Sequence, residues 1–271
     1  MPNQVPFMIY GTAWKKDQTA RFVEQALLAG FRGIDTACQP KHYHEAGVGA
    51  GVAAAGKKGI LRESLYLQTK FTPVDGHVAT GIPYDPNADI ATQVRQSFRV
   101  SQKNLGTDYV DALVIHSPYA LFQDLLSAWK AMEGIYREGG TRRLGISNCY
   151  DLTTFKRLYE AAEVKPTIVQ NRFYRETNYD KALRTWIKTK DVTYQSFWSL
   201  TANPDILRTR LVRDLAQTYQ RSEAVILYRY LIQIGIVPLN GTTSEQHMKE
   251  DLAVAEFELK ERELEQMSLL F

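Results

Sequence analysis

The stretch FMIYGTAWKKD, residues 7–17, couples a short apolar run to a turn with a single glycine. A strand followed by GxGxxG would open a doubly wound sheet around a dinucleotide. The turn here reads GTAWKKD, and beyond it the pattern repeats as strand then helix. FMIYGT is followed by TARFVEQALLAG, GIDTA by EAGVGAGVAAAG, and SLYLQTKF by ADIATQVRQSFRVSQKNLG. YVDALVIH then precedes LLSAWKAMEGIYREGG, TRRLGISN precedes LTTFKRLYEAA, and PTIVQN precedes YDKALRTWIKTK. DVTYQSF leads into ILRTRLVRDLAQTY and SEAVILYRYLIQIG, while GIVPLNG leads into SEQHMKEDLAV. Eight such units in 271 residues predict a (β/α)8 TIM barrel, one α/β domain over residues 1–271, rather than an open sheet. LKERELEQMSLL reads as one further amphipathic helix.

Composition narrows the class of partner. An apolar content of 44% supports a large core. The 33 basic and 30 acidic residues leave a net charge of +3, without a basic stripe for nucleic acid. No apolar run approaches the ~20 residues of a membrane span, and MPNQVPFMIYGTAW lacks the build of a signal peptide. Cys38 and Cys149 have no metal-ligand spacing and are too few for a disulfide framework. The expectation is a cytoplasmic protein, monomer or homodimer, with no metal, nucleic-acid or membrane partner.

Polar residues close several predicted strands: Asp35 the second, Lys70 the third, His116 the fourth, Asn148 the fifth, Gln170 and Asn171 the sixth. In a barrel such positions converge on one mouth, where catalytic groups sit. Tyr43, in DTACQPKHYHE after the second strand, reaches the same place. A phenol of pKa about 10 is a poor acid near neutrality, and a neighbouring ammonium is expected to lower that value. Asp35 would hold Lys70 charged, and His116 would donate to a carbonyl oxygen. The set describes a carbonyl polarised and protonated while another group delivers hydride. Each member also has a purely structural reading: a bracing ion pair, a loop aromatic, a core histidine.

These residues resemble the aldo-keto reductases, (β/α)8 barrels that use NADPH or NADH without a Rossmann fingerprint. The likeness rests on GTAW, GFRGIDTA, EAGVG, LQTKF, DYVDALVIHSP, LGISN, KPTIVQN and VPLNGTTSEQHMKED in order along nearly the whole chain. It implies a catalytic tetrad of Asp35, Tyr43, Lys70 and His116, with Tyr43 as general acid. The DTACQPKHYHE loop is longer than in most relatives and resembles a fungal-type subgroup carrying PKHYNE. Plain counting from Asp35 lands on Pro40, and counting back from the glutamate lands on His42, which stays open as the alternative donor. His44 is expected to pack in the loop.

The resemblance also implies a nicotinamide site. Ser147, Asn148 and Gln170 would hold the carboxamide, Phe197 would stack on the ring, and Ser199 and Leu200 would lie over the pyrophosphate. Asn240, Gly241, Thr242, His247 and Asp251 belong to the segment that would bind the adenosine phosphate, with helix N-terminal amides for the anion. The arginine that clamps the 2′-phosphate in NADP-preferring relatives is missing, leaving His247, Lys249 and backbone amides. NADP is the expected cofactor, with NAD as the alternative. Trp14, Tyr84, Tyr119 and Trp198 are candidate apolar liners of a substrate pocket. The long connection TPVDGHVATGIPYDPNAD is read either as one wall of the pocket or as a surface lid without substrate contact, and with no closing loop expected after the last helix the mouth should admit bulky carbonyl compounds. Two other classes fit less well: a nicotinamide-binding regulatory subunit with little turnover, and a barrel hydrolase using Asp35 and His116 as metal ligands.

Overall fold

The computed structural model describes residues 5–78 and 81–271. Two sequence readings fall partly outside them: the N-terminal stretch at residues 1–4, and the long connection at 79 and 80. Eight parallel strands close into a barrel in chain order, β8 pairing with β1. They are β1 Ile9–Gly11, β2 Gly33–Asp35, β3 Tyr66–Phe71, β4 Ala112–Ile115, β5 Leu144–Ser147, β6 Ile168–Arg172, β7 Thr193–Phe197 and β8 Ile236–Asn240. Helices α1 Thr19–Ala29, α2 Glu45–Gly56, α3 Ile90–Leu105, α4 Phe122–Arg137, α5 Leu152–Ala161 and α6 Lys181–Ile187 follow the first six strands.

The seventh unit departs from the expected pair of helices. A short α7 Pro204–Leu207 precedes α8 Arg210–Tyr219 and α9 Glu223–Gln233. The hydroxyl of Thr209 accepts from the Val212 N–H and starts a new helix inside the run read as one. Helix α10 Glu245–Leu252 follows β8, and α11 Glu261–Ser268 is the amphipathic segment read from LKERELEQMSLL.

Strand alternation sorts side chains into two cores. The outer core lies between strands and helices, where α4 buries Leu125, Ala128, Trp129, Met132 and Ile135 along one stripe. Trp129 is fully enclosed and its indole N–H donates to the Val164 carbonyl at 3.0 Å. Each such large apolar side chain contributes about 1.5–3 kcal/mol. The inner core is small: Ile9, Tyr66, Ala112 and Ile168 form the barrel floor.

Above that floor the interior turns polar. Gln68 Nε2 donates to Gln195 Oε1 at 2.8 Å, Gln195 Nε2 returns to Gln68 Oε1 at 3.0 Å, and Gln170 Nε2 joins Gln195 Oε1 at 2.8 Å. Tyr66 donates its hydroxyl to Gln68 Oε1 at 2.9 Å. Buried amides are tolerable only when bonded, and here they bond one another around the ring.

Helix α2 reaches its seat through glycine. A Cβ on Gly49 would lie 2.2 Å from the Asn104 carbonyl, and one on Gly51 would lie 2.6 Å from that of Ala20. The missing side chains let α2 press between α1 and α3, which fixes the loop that carries Tyr43.

Candidate active site

The segment DTACQPKHYHE leaves β2 at Asp35 and folds back on itself at Gln39. The backbone N–H groups of His42 and Tyr43 both donate to the Gln39 carbonyl, at 3.3 and 3.1 Å. Gln39 Nε2 donates to the Gly76 carbonyl at 2.7 Å, and the Cys38 N–H donates to the Lys70 carbonyl at 3.1 Å. At the start of α2 the buried Glu45 accepts from Thr69 Oγ1 at 2.5 Å and from Asn104 Nδ2 at 3.1 Å. The extra residues are thus taken up in one local turn, and Tyr43 is carried to the strand ends.

There Tyr43 meets the residues predicted beside it. Its ring centre is 5.3 Å from Lys70 Nζ and 5.9 Å from the His116 ring, edge to face. Lys70 is buried and donates to Asp35 Oδ2 at 2.6 Å, Asp35 Oδ1 at 2.7 Å and the Thr36 carbonyl at 2.9 Å. All three of its N–H bonds are therefore used. Asp35 Oδ1 also accepts from Gln68 Nε2 at 2.7 Å and from Gln170 Nε2 at 3.0 Å. His42 stands apart, its ring 4.0 Å from that of Trp14, with its carbonyl accepting from the Trp14 N–H at 2.7 Å. His44 is exposed at the start of α2.

The electrostatics correct one expectation. Burial, reinforced by the Asp35 carboxylate, pushes the Tyr43 phenol well above its ordinary value rather than below it. Burial also holds the Lys70 ammonium below the usual lysine range, with Asp35 acting against that shift. His116 is pushed down to about 3, first by burial and then by Lys70. Its ring is therefore neutral at neutral pH, with Nδ1 paired to Thr72 Oγ1 at 2.7 Å.

A cavity of about 890 Å³ opens above this group at the carboxyl ends of the strands. Asp35, Tyr43 and His116 line it, while Lys70 lies behind Asp35. Of the residues predicted for the cofactor, all but Lys249 also line it. On one side Ser147 Oγ donates to the Gln170 carbonyl at 2.7 Å, and Asn148 Nδ2 donates to the His116 carbonyl at 2.9 Å. Phe197 ends β7, and Ser199 Oγ pairs with Ser196 Oγ at 2.8 Å just before Leu200. On the other side lie Asn240, Gly241, Thr242, His247 and Asp251. Asn240 uses its own amide internally: Nδ2 donates to Asp251 and Oδ1 accepts from the Thr242 N–H at 2.8 Å. Burial pushes Asp251 up to about 6.

Three further expectations change. Tyr84 does not line the cavity; its hydroxyl donates to the Thr72 carbonyl at 2.7 Å and its ring packs on Phe71. Tyr119 is also outside the lining. Lys249 is exposed and paired with Glu245 at 2.8 Å, away from the cavity wall.

Two cations of the wall had not been picked out in the sequence. Lys15 is buried, donates to the Gly241 carbonyl at 2.7 Å, and is lowered by burial to about 8. Arg172, the last residue of β6, stacks on Trp198 at 4.2 Å. The signal for Arg172 was present, since Ile168, Gln170 and Arg172 alternate along one face of the strand. Trp14 and Trp198 are the exposed rim, at 61% and 48%, and both hold left-handed backbone with φ of 65° and 57°. Among the described residues none beyond Asp251 lines the cavity, and Phe271 packs on Phe173, Tyr179 and Tyr230. Among the described residues no three His, Cys, Asp or Glu side chains gather as a metal site. None of the described helices is long and apolar enough to cross a membrane.

The arrangement fits a nicotinamide dinucleotide. Amide and hydroxyl groups are grouped at one end, an aromatic ring stands beside them, and Lys15 with the Ser244-capped start of α10 offers an anion site at the other. Comparisons with known proteins agree. A family model described as the aldo/keto reductase family matches residues 7–194. An uncharacterized oxidoreductase of Bacillus subtilis is 31% identical over 92% of this chain and 82% of its own length. A glyoxal reductase of the same organism is 26% identical over 94% of this chain and 84% of its own. A Bombyx mori aldo-keto reductase, solved in complex with NADP, matches with a TM-score of 0.82 and 26% identity over 98% of this chain and 89% of that one.

Proposed function

The chain belongs to the aldo/keto reductase family, and on that premise we propose that it reduces aldehydes or ketones to alcohols with NADPH, with Tyr43 as the proton donor. Carbonyl reduction with a nicotinamide cofactor is the chemistry of the family, whose members among the relatives are named for glyoxal and methylglyoxal. The observation that carries the assignment of the acid is the Tyr43 ring, 5.3 Å from Lys70 Nζ at the floor of the cavity.

Ser147, Asn148 and Gln170 would hold the carboxamide, Phe197 the ring, and Lys15 with the loop at Gly241 and Thr242 the phosphates. When bound, the reduced nicotinamide supplies hydride to the carbonyl carbon. Neutral His116 would donate a hydrogen bond from Nε2 to the carbonyl oxygen in the tautomer whose Nδ1 accepts from the Thr72 hydroxyl, a contact of 2.7 Å. The raised pKa keeps Tyr43 protonated at every working pH, so the acid is always loaded. Its proton passes to the developing alkoxide, the stronger base of the two. Lys70 then stabilises the phenolate through space, because its N–H bonds stay on Asp35 and Thr36.

The NADPH preference rests on the cationic end at Lys15. A panel of aldehydes and ketones assayed for NADPH and NADH oxidation tests the reading. Consumption of NADPH by at least one aldehyde is expected. Fluorescence quenching of NADPH by the protein with no turnover of any carbonyl would instead make it a silent nicotinamide binder.

A further inference from the structure

Among the described residues the cavity wall carries one lysine and one arginine, Lys15 and Arg172. Lys15 is engaged with the Gly241 carbonyl beside the β8 loop. Arg172 is not engaged. Among the described residues no carboxylate, carbonyl or hydroxyl accepts from its guanidinium, and its Nε is closed off from solvent without a hydrogen-bond partner. Its contacts are with rings, Trp198 at 4.2 Å and Tyr174 at 5.0 Å.

Its place on β6 gives that cation a direction. Ile168 sits in the inner floor and Gln170 bonds Asp35, so the face they share points into the barrel. Val169 belongs to the outer core, and Asn171 bonds Asp180 at 2.7 Å on the opposite face. Arg172 stands on the inner face, roughly 6.6 Å along the strand from Gln170, and so enters the mouth above the reaction centre. A guanidinium stacked on an indole keeps its in-plane N–H edge free, which is the geometry that takes a carboxylate by two parallel bonds.

Two anions have access to this point: a carboxylate on the substrate or a phosphate of the cofactor. The phosphate-binding features are elsewhere, at Lys15 and the capped start of α10, on the β1 and β8 side of the mouth. Arg172 lies on β6, two residues from the amide that would meet the carboxamide. We propose that Arg172 binds the carboxylate of the carbonyl substrate, which makes oxo acids the preferred substrate class. This rests on the carbonyl-reduction reading above.

The test compares succinic semialdehyde and 4-formylbenzoate with their methyl esters, using the wild type, Arg172→Met and Arg172→Lys. The wild type is expected to favour each acid over its ester by about ten-fold in kcat/KM. Arg172→Met should remove that preference, leaving ester turnover within about three-fold and NADPH affinity within about two-fold. Arg172→Lys should restore part of it. An acid-to-ester ratio unchanged by Arg172→Met overturns the proposal. So does NADPH affinity weakened by about ten-fold with the ratio intact, which would place a phosphate on the arginine. If no carbonyl is reduced by any form, the catalytic reading fails and calorimetry decides this one. Binding of 4-(hydroxymethyl)benzoate to the NADP+ complex that is lost in Arg172→Met upholds it, and equal binding of acid and ester overturns it.

Discussion

Gln68 Nε2 donates to Asp35 Oδ1 over 2.7 Å, from inside the barrel and on the oxygen that Lys70 also holds. The Asp35 carboxylate is therefore braced from below by a glutamine whose other bonds run to Gln195 and Tyr66. Replacing Gln68 by Leu leaves Gln195 short of a partner in a dry interior, a loss of about 1–3 kcal/mol. Urea unfolding should show that loss, and kcat should fall several-fold as Asp35 gains freedom. Gln68→Leu combined with Gln195→Leu should cost less than the two single changes summed. Strict additivity would mean that the amides do not act together.

Tyr43→Phe should lower kcat by at least about 10² while leaving NADPH affinity nearly unchanged. His42→Ala, in contrast, should change kcat by less than about three-fold, since that ring rests on Trp14. Steady-state kinetics on one good aldehyde separates the two. A larger loss in the histidine variant would transfer the acid role to His42.

The pH dependence of stability follows from His116. Its folded pKa of about 3 lies below the value of about 6.5 in the unfolded chain. Below that upper value the unfolded state takes up a proton that the folded state refuses. Stability fully present above pH 6.5 is therefore lost as pH falls toward 3, by at most about 1.4 kcal/mol per pH unit from this group. The ring faces a water-accessible cavity, which reduces the slope. Urea midpoints between pH 7 and pH 4 should fall more steeply for the wild type than for His116→Gln.

Cofactor affinity should titrate with Lys15. At about 8 its ammonium is half deprotonated in the free protein, so NADPH affinity should weaken as pH rises through that value. Lys15→Met should bind NADPH more weakly at pH 7 and lose the inflection. Fluorescence titration from pH 6.5 to 9 reads both, and an unaltered inflection in the variant would assign it to another group.

Gly49→Ala tests whether the seat of α2 governs the acid. The new methyl would press on the Asn104 carbonyl, costing about 1–3 kcal/mol of stability. Because α2 begins two residues after Tyr43, kcat at a temperature where the variant is fully folded should also drop.

The barrel was legible because each strand keeps a period of two and each helix a period near 3.6, and because the strand-end residues share a mouth by geometry alone. Tyr43 stands beside Lys70 despite its longer loop, since the turn at Gln39 absorbs the added residues locally. Arg172 and Lys15 were passed over because a charge after an apolar strand looks like solvated loop until the inward face is counted. Tyr84 was misplaced for the opposite reason: a loop's direction is set by contacts such as its bond to Thr72, which no local pattern encodes. The direction of the Tyr43 shift was missed because the sequence cannot show how far the phenol is buried, with the Asp35 carboxylate beside it.

Trp14 and Trp198 hold the rim in a backbone conformation that disfavours bulky L residues by roughly 1–2 kcal/mol each. Glycine or asparagine at either site would relax the chain and strip the doorway of its indole. Directed evolution for heat tolerance alone should drift toward those replacements and produce sturdier barrels that handle their substrates worse. Selection that keeps both tryptophans is therefore selection on turnover.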